Sequence, residues 1–474
     1  MKHRIVHSAP LLSLTVCMMV GMAVEHHGQL SLPYLPLLAV GVLAAIIVRR
    51  RPVWQIVTIH VCFVLMGALL IQRADRQPSA ISGTAEVIVM SAPIDKPKTV
   101  AVDLLFPTTG ERQRFYFWKD ERSRQLQLGD ALIVRDINDA FVGTDEWTPG
   151  GAAYQLMTRI QRLRLKALVW RQHLLGKFSR LTADDEQYAV LAAMTLGDKS
   201  AISKDTRETY SITGASHMLA LSGLHLGIIY MLLTHLMPTR RRRWYMQLAV
   251  VLAVWAFAFL TGLSTSVVRS ATMISIYALF SLRSGRLSSV NILAFAAFIM
   301  LLFDPTCLFD ISFQLSFMAV FAILLIMPLT EHYVSNAFLQ RHAVVRWLWG
   351  TVAVSCAAQI GVAPLVAYHF GRFSTYFLLT NLIVLPAVTV ILYAALLFLV
   401  TSWTLVGQLM LTVVGWLNQS LDGIARLPMA SIDGIYLSAV QVALCYLVVA
   451  CLYLCLFILR PDEKDKININ PQTI

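Results

Sequence analysis

Residues 191–233 read LAAMTLGDKSAISKDTRETYSITGASHMLALSGLHLGIIYMLL, and the chain changes solvent inside them. Up to Ser211 the stretch is dotted with Asp, Glu, Lys and Arg, whereas residues 217–237 hold none of the four. An uncharged run of that length can cross the hydrocarbon layer of a bilayer, which takes ~20 apolar residues. The same pattern recurs on both sides. Apolar runs at 9–24, 33–48 and 53–71 precede it, and runs at 245–263, 267–282, 290–303, 311–327, 348–369, 387–401, 405–421 and 438–459 follow it. Hydropathy therefore predicts about 12 spans. Composition agrees, at 57% hydrophobic and 14% charged residues, where soluble domains carry about 25% charged. The expected fold class is a polytopic α-helical membrane protein.

The formal net charge is +12, from 39 Lys+Arg against 27 Asp+Glu. In a soluble protein that surplus suggests a polyanionic partner. In a membrane protein it gathers in cytoplasmic loops and sets orientation. Arg49 to Arg51, Arg240 to Arg243, Arg283 with Arg286, Arg341 with Arg346, and Arg460 with Lys464 and Lys466 fall in alternate loops. Residues 25–31 and 304–310 hold no Lys or Arg, while Arg372 and Arg426 depart from the alternation. Both termini are thus expected in the cytoplasm, with the polar segment after the third span outside. Met1-Lys2-His3-Arg4 and Gly21-Met22-Ala23 are compatible with a signal peptide, but two further spans follow closely, which favours an uncleaved first span. Residues 375–386 are apolar but short and end at Pro386. They are expected to form a re-entrant half-helix, the alternative being the Pro-kinked end of one long span.

The organisation read from the chain is three spans over 1–72, an external β domain over 73–150, a basic amphipathic helix over 151–182, a transmembrane domain over 183–460 and a cytoplasmic tail over 461–474. In the β domain, 86–90, 99–106, 112–118 and 131–136 are rich in Val, Ile, Leu, Phe and Tyr, and turns fall at Gly110 and Gly129. Several short strands in so few residues suggest a small barrel of OB type. Phe115, Tyr116, Phe117 and Trp118 are candidate base-stacking residues, although alternate members of such a run usually fill a core. In the helix, Leu156, Ile160, Leu163, Ala167, Trp170, Leu174, Phe178 and Leu181 recur every three or four residues. They predict one apolar stripe, with Leu165, Leu168 and Val169 off it. Arg159, Arg162, Lys166 and Arg171 lie on the remaining surface, to meet lipid head groups or DNA.

Signs of covalent chemistry are missing from the sequence. It has no GxxxxGK[ST] loop, no HExxH and no GxSxG. The seven cysteines sit almost wholly in apolar runs, with none between Gln72 and Ala215, so the β domain has neither a disulfide framework nor zinc-type spacing. No catalytic residue, metal or cofactor is expected. A passive pore or carrier is the leading class, with a membrane enzyme set aside for want of a nucleophile–base pair.

The opening segment also carries a resemblance. Gly197-Asp198-Lys199, Gly214, His217, Leu219 to His225 and Gly227 closely resemble the signature of the ComEC competence family, inner-membrane DNA channels of natural transformation. Val268 to Met273, Asp304-Pro305 with Phe313-Gln314-Leu315-Ser316-Phe317, and Asn381 with Pro386 resemble further stretches of that family. The resemblance implies import of single-stranded DNA, a cytoplasmic motor or DNA-binding protein, and an external DNA receptor. Many members continue into a metallo-β-lactamase-like domain whose ligand histidines have no match here, so any nuclease that the route needs is expected in another protein. A charged strand needs a wet, polar path. The candidates along it are His217, Ser222, Gly223, His225 (midway along its span), Arg269, Asp310, Gln314, Gln359 and Asn381. Structural alternatives are helix packing by Gly214, Gly223 and Gly227, snorkelling or mutual pairing of Arg269 and Asp310, and a capping or interfacial His217; Gly223 could equally break its helix and present backbone groups to the path. The rival class is a secondary transporter or lipid flippase, which shares the many spans and midplane polar residues.

Overall fold

A computed structural model describes residues 10–30, 32–75, 83–135, 140–236, 244–281, 288–330, 338 and 341–458. Met1 to Arg4, the basic residues at 240–243, 283, 286, 460, 464 and 466, Asp136 and the tail lie outside the described residues. The chain opens with α1 (Pro10–Gly28), α2 (Tyr34–Ile47) and α3 (Pro52–Asp75). α1 and α3 touch backbone to backbone, because a Cβ on Gly21 would meet Val64 O and one on Gly67 would meet Met18 O. Small residues allow such approach in lipid, where packing replaces the hydrophobic drive.

The β domain comprises β1 (Ala85–Val89), β2 (Ile94–Asp95), β3 (Thr99–Leu105), β4 (Arg112–Trp118), β5 (Ala131–Val134), β6 (Phe141–Val142) and β7 (Trp147–Pro149). The order is β6-β4-β3-β1-β5-β7, with β2 on β3. β6 runs parallel to β4, and β7 antiparallel to β5. Because β6 and β7 are successive pieces of one stretch, that stretch pairs with both edges of the sheet, and Val87, Val102, Phe115, Phe117, Leu132, Val134, Val142 and Trp147 fill the interior. The predicted strands are found; β6 and β7 are too short to show a period of two.

α4 (Arg159–Ser179) joins this domain to the helices, and its faces differ from expectation. Leu165, Leu168, Leu175 and Phe178 are buried, whereas Ile160 and Trp170 of the predicted stripe are 69% and 70% exposed. Two apolar faces share this helix. Leu165 and Leu168 pack on the β domain through Ile88, Met90 and Leu105, and the guanidiniums of Arg164 and Arg171 donate to Gly262 O and Thr261 O. Periodicity reports apolar faces but not which one has a protein neighbour.

Next come α5 (Asp185–Leu196), α6 (Lys204–Ile212), α7 (Gly223–His235), α8 (Trp244–Leu260), α9 (Thr265–Ser281), α10 (Ser289–Phe303), α11 (Ile311–Thr330), α12 (Ala343–Phe370), α13 (Phe377–Thr401), α14 (Thr404–Ala425) and α15 (Ala439–Ile458). α1, α3, α11, α12, α13 and α15 are long and apolar enough to cross a membrane, and each apolar run read from the sequence holds one helix. A short ladder, β8 (Arg372–Ser374) with β9 (Ser431–Asp433), closes one end of the bundle.

Two expectations about broken helices exchange places. Residues 375–386 do not form a half-helix that ends at Pro386: α13 runs unbroken through that residue, as in the alternative of one long helix. Proline frees a carbonyl, but neighbours can hold such a helix together, and Val384, Ala387, Val388 and Ile391 are buried in the central core beside α5 and α14. The break lies before α7. Over 213–222 the chain makes only a 3-10 turn, Ser216–Met218, and Gly214 takes φ +79°, a left-handed value suited to glycine. α7 has 13 residues, about 20 Å, against ~30 Å of hydrocarbon. His225 is therefore in the first turn of its helix rather than midway along a span.

Candidate functional site

The chain from Gly214 to His225 threads between α13 and α9. A Cβ on Gly214 would lie 3.0 Å from Ser374 Cβ and 3.9 Å from Phe377 Cβ, and Asn381 stands about one turn further along α13. His217 Nδ1 lies 3.0 Å from Gly214 O. Ser222 caps α7, its N–H donating to His225 Nδ1 at 3.2 Å while its hydroxyl lies 3.0 Å from the same atom. A Cβ on Gly223 would sit 3.0 Å from Ser270 Oγ of α9. Next to Ser270, Arg269 reaches Asp310 with Nη1–Oδ2 at 3.8 Å. Asp310 accepts from Ser312 N at 2.8 Å, and Gln314 Nε2 donates to Leu308 O at 3.0 Å.

Of the predicted path residues, His217, Ser222, Gly223 and His225 share one segment that meets α9 at Ser270, beside the Arg269–Asp310 pair; Gln314 follows one turn into α11 and Asn381 lies on α13 near the other end of this ribbon. Gln359 stands apart. It lies on α12 near Gly361, where a Cβ would come within 2.5 Å of Ala322 Cβ on α11. Sequence reading did not pick Ser270, Ser374 or Thr380, which are buried beside the ribbon. Single Ser and Thr residues in apolar runs carry no distinguishing pattern.

The ribbon is short of hydrogen-bond partners. His225 Nε2, Arg269 Nε, Ser374 Oγ and Thr380 Oγ1 are buried with none among the described residues. Buried polar atoms are normally satisfied, so four along one ribbon call for a polar occupant. At the ladder end, Arg372 forms ion pairs with Glu208 at 2.8 Å and with Asp433, and donates to Ser211 Oγ at 3.0 Å. The hydrogen bond to Glu208 raises the pKa of this guanidinium above its ordinary range. Arg426 pairs with Asp422 at 2.6 Å. Both arginines that break the loop-charge alternation thus pair with carboxylates.

The β domain carries a second feature. Strand alternation buries Phe115 and Phe117 and turns Arg112, Arg114, Tyr116 and Trp118 outward. Tyr116 stacks on Phe141 with centroids 5.2 Å apart, Trp118 lies 6.3 Å from Phe141, and Lys96 Nζ sits 4.5 Å over the Tyr116 ring. Trp118 and Phe141 stay 46% and 53% exposed. Of the surface residues expected on α4, Arg159, Arg162 and Lys166 are exposed, whereas Arg171 turns toward Thr261 O.

Among the described residues, six helices long and apolar enough to span a bilayer, beside a small β domain, define a multi-span helical membrane protein. The model of the family described as Competence protein matches residues 194–459, more than half of the chain, and the chain belongs to that family. It is 28% identical over 291 residues to ComE operon protein 3 of Bacillus subtilis (strain 168), covering 59% of this chain and 35% of that protein. It is 27% identical over 169 residues to Competence protein ComA of Neisseria gonorrhoeae, covering 33% and 24%. With Recombination protein 2 of Haemophilus influenzae it shares 24% over 248 residues, covering 48% and 31%. The chain thus spans about a third or less of these relatives. No solved structure matches it.

Proposed function

We propose that this chain is an inner-membrane channel that imports single-stranded DNA into the cytoplasm during natural transformation. The ribbon from Asn381 to Gln314, with its unpartnered buried donors, carries the proposal, because a strand with one charge per nucleotide needs polar groups at membrane depth. Family membership and relatives named for competence and recombination support it. The strand pairing supports an OB-type barrel whose Tyr116, Trp118 and Phe141 surface receives bases, with Lys96 and Arg112 near the phosphates. The exposed Ile160, Leu163 and Trp170 face of α4, beside Arg159 and Lys166, suits the acyl chains and head groups of the bilayer. In this reading there are about 12 spans, both termini are cytoplasmic and the barrel lies outside. In this reading the membrane domain itself does no covalent chemistry, and a cytoplasmic motor or DNA-binding protein and an external receptor complete the route.

The test is a clean deletion in the host, followed by uptake of labelled DNA and transformation. Loss of both, restored by the wild-type gene and not by Arg269→Ala, is the expected result. Normal transformation of the deletion strain with altered solute or lipid transport would instead favour the transporter class.

A further inference from the structure

The start of α7 is a helix N-terminus inside the bundle. Gly223 abuts Ser270, which is five residues into α9, about 8 Å from that helix's first residue. His225 is 0% exposed and occupies the third position of the helix, and the Ser222 N–H donates to its Nδ1. An Nδ1 that accepts leaves the neutral ring's proton on Nε2, and that atom has no partner among the described residues. Arg269, next to Ser270, is 3% exposed, and its Nε also has none. The first N–H groups of a helix have no partner within it; here those of Ser222 and His225 bond to His225 Nδ1 and Ser222 O, which leaves Gly223 and Leu224 to offer theirs, and the dipole makes that end attractive to anions.

We infer that the α7 N-terminus, His225 Nε2–H and Arg269 form a binding station for one monoanionic phosphodiester within the membrane domain. A phosphodiester has two non-bridging oxygens to accept these donors, and Asp310 tempers the charge of Arg269 so that one phosphate can be released to the next. The strand as the source of that phosphate rests on the proposed channel function; a phospholipid head group offers the same chemistry, and the test separates the two.

His225→Gln keeps an N–H donor near the Nε2 position, and His225→Phe removes it. Each is expressed in the deletion strain, with membrane abundance checked by a tag. Import is measured for ordinary DNA and for DNA carrying a run of uncharged methylphosphonate linkages, and phospholipid phosphorus is measured on the purified full chain. A hydrogen bond to a charged group is worth about ten- to a hundredfold. The expected result is at least about a tenfold loss of import in His225→Phe, loss of its discrimination against methylphosphonate, near wild-type behaviour in His225→Gln and unchanged bound phospholipid. Loss of bound phospholipid with import retained keeps the phosphodiester site and assigns it to lipid. His225→Phe at wild-type abundance with import, discrimination and bound phospholipid all unchanged overturns the inference. A deletion strain that imports DNA normally instead sinks the channel function, and the phosphorus measurement still decides the site.

Discussion

Phe141→Ala separates stacking from structure on the outer face of the β domain. Phe141 is 53% exposed, with its ring 5.2 Å from Tyr116 and 6.3 Å from Trp118. Burial of a whole Phe side chain in a core is worth about 3–5 kcal/mol against Ala, so removing a half-exposed one should cost at most about 2 kcal/mol of stability. Each base stacked on an aromatic ring is worth about 1–3 kcal/mol, or roughly 5- to 150-fold in Kd. The assay is fluorescence anisotropy of a labelled oligothymidylate with the full chain in detergent, at one fixed low salt concentration because phosphate contacts are salt-dependent. Phe141→Ala and Trp118→Ala should each weaken binding by at least about fivefold while the protein stays folded. The neighbouring Phe115→Ala, at a fully buried position, should instead destabilise the domain by about 3–5 kcal/mol. Binding within about twofold of wild type for both outward variants would refute the stacking surface.

Gly361→Val should force α11 and α12 apart, since its Cβ would meet Ala322 Cβ at 2.5 Å; thermal unfolding in detergent should show about 1–3 kcal/mol lost, and unchanged stability would contradict that close approach. Asp310→Asn should lower stability more than Arg269→Gln, by about 1–3 kcal/mol, because it strands a guanidinium whose side chain is 4% exposed whereas Asp310 is 37% exposed; the reverse order would show that the pair is not the buried cation's support. Arg372→Ala should loosen the ladder end and speed proteolysis between α5 and α7, and Glu208→Gln should do so by less because Asp433 still holds the guanidinium; wild-type proteolysis of Arg372→Ala would mean that these ion pairs do not hold that end. In a cysteine-free background, Gly110→Cys should react with a membrane-impermeant maleimide in intact cells, and no labelling until lysis would put the β domain in the cytoplasm.

The sequence alone was enough for the location and number of the apolar runs, because lipid demands long uncharged stretches and each of those stretches became a helix. Four of the strands were legible for a similar reason, since Val, Ile and aromatic residues suit a pleated, half-buried surface. The ribbon was legible as a set of residues but not as a site: His225 and Arg269 are 44 positions apart in the chain, and only the packing of α7 on α9 brings them into one neighbourhood. Which helix is broken was decided by tertiary structure. Pro386 signals a break locally, but α13 runs on through it, packed beside α5 and α14, whereas α7 starts only at Ser222, whose N–H pairs with His225. On α4, two apolar faces compete in one sequence pattern, and only the positions of β1, β3 and Thr261–Gly262 decide that Leu165 and Leu168 turn inward. Hydropathy is a property of each residue and can be read along the chain. A partner is a property of the fold, because apolar surface and unpaired donors acquire their roles from whatever lies across from them.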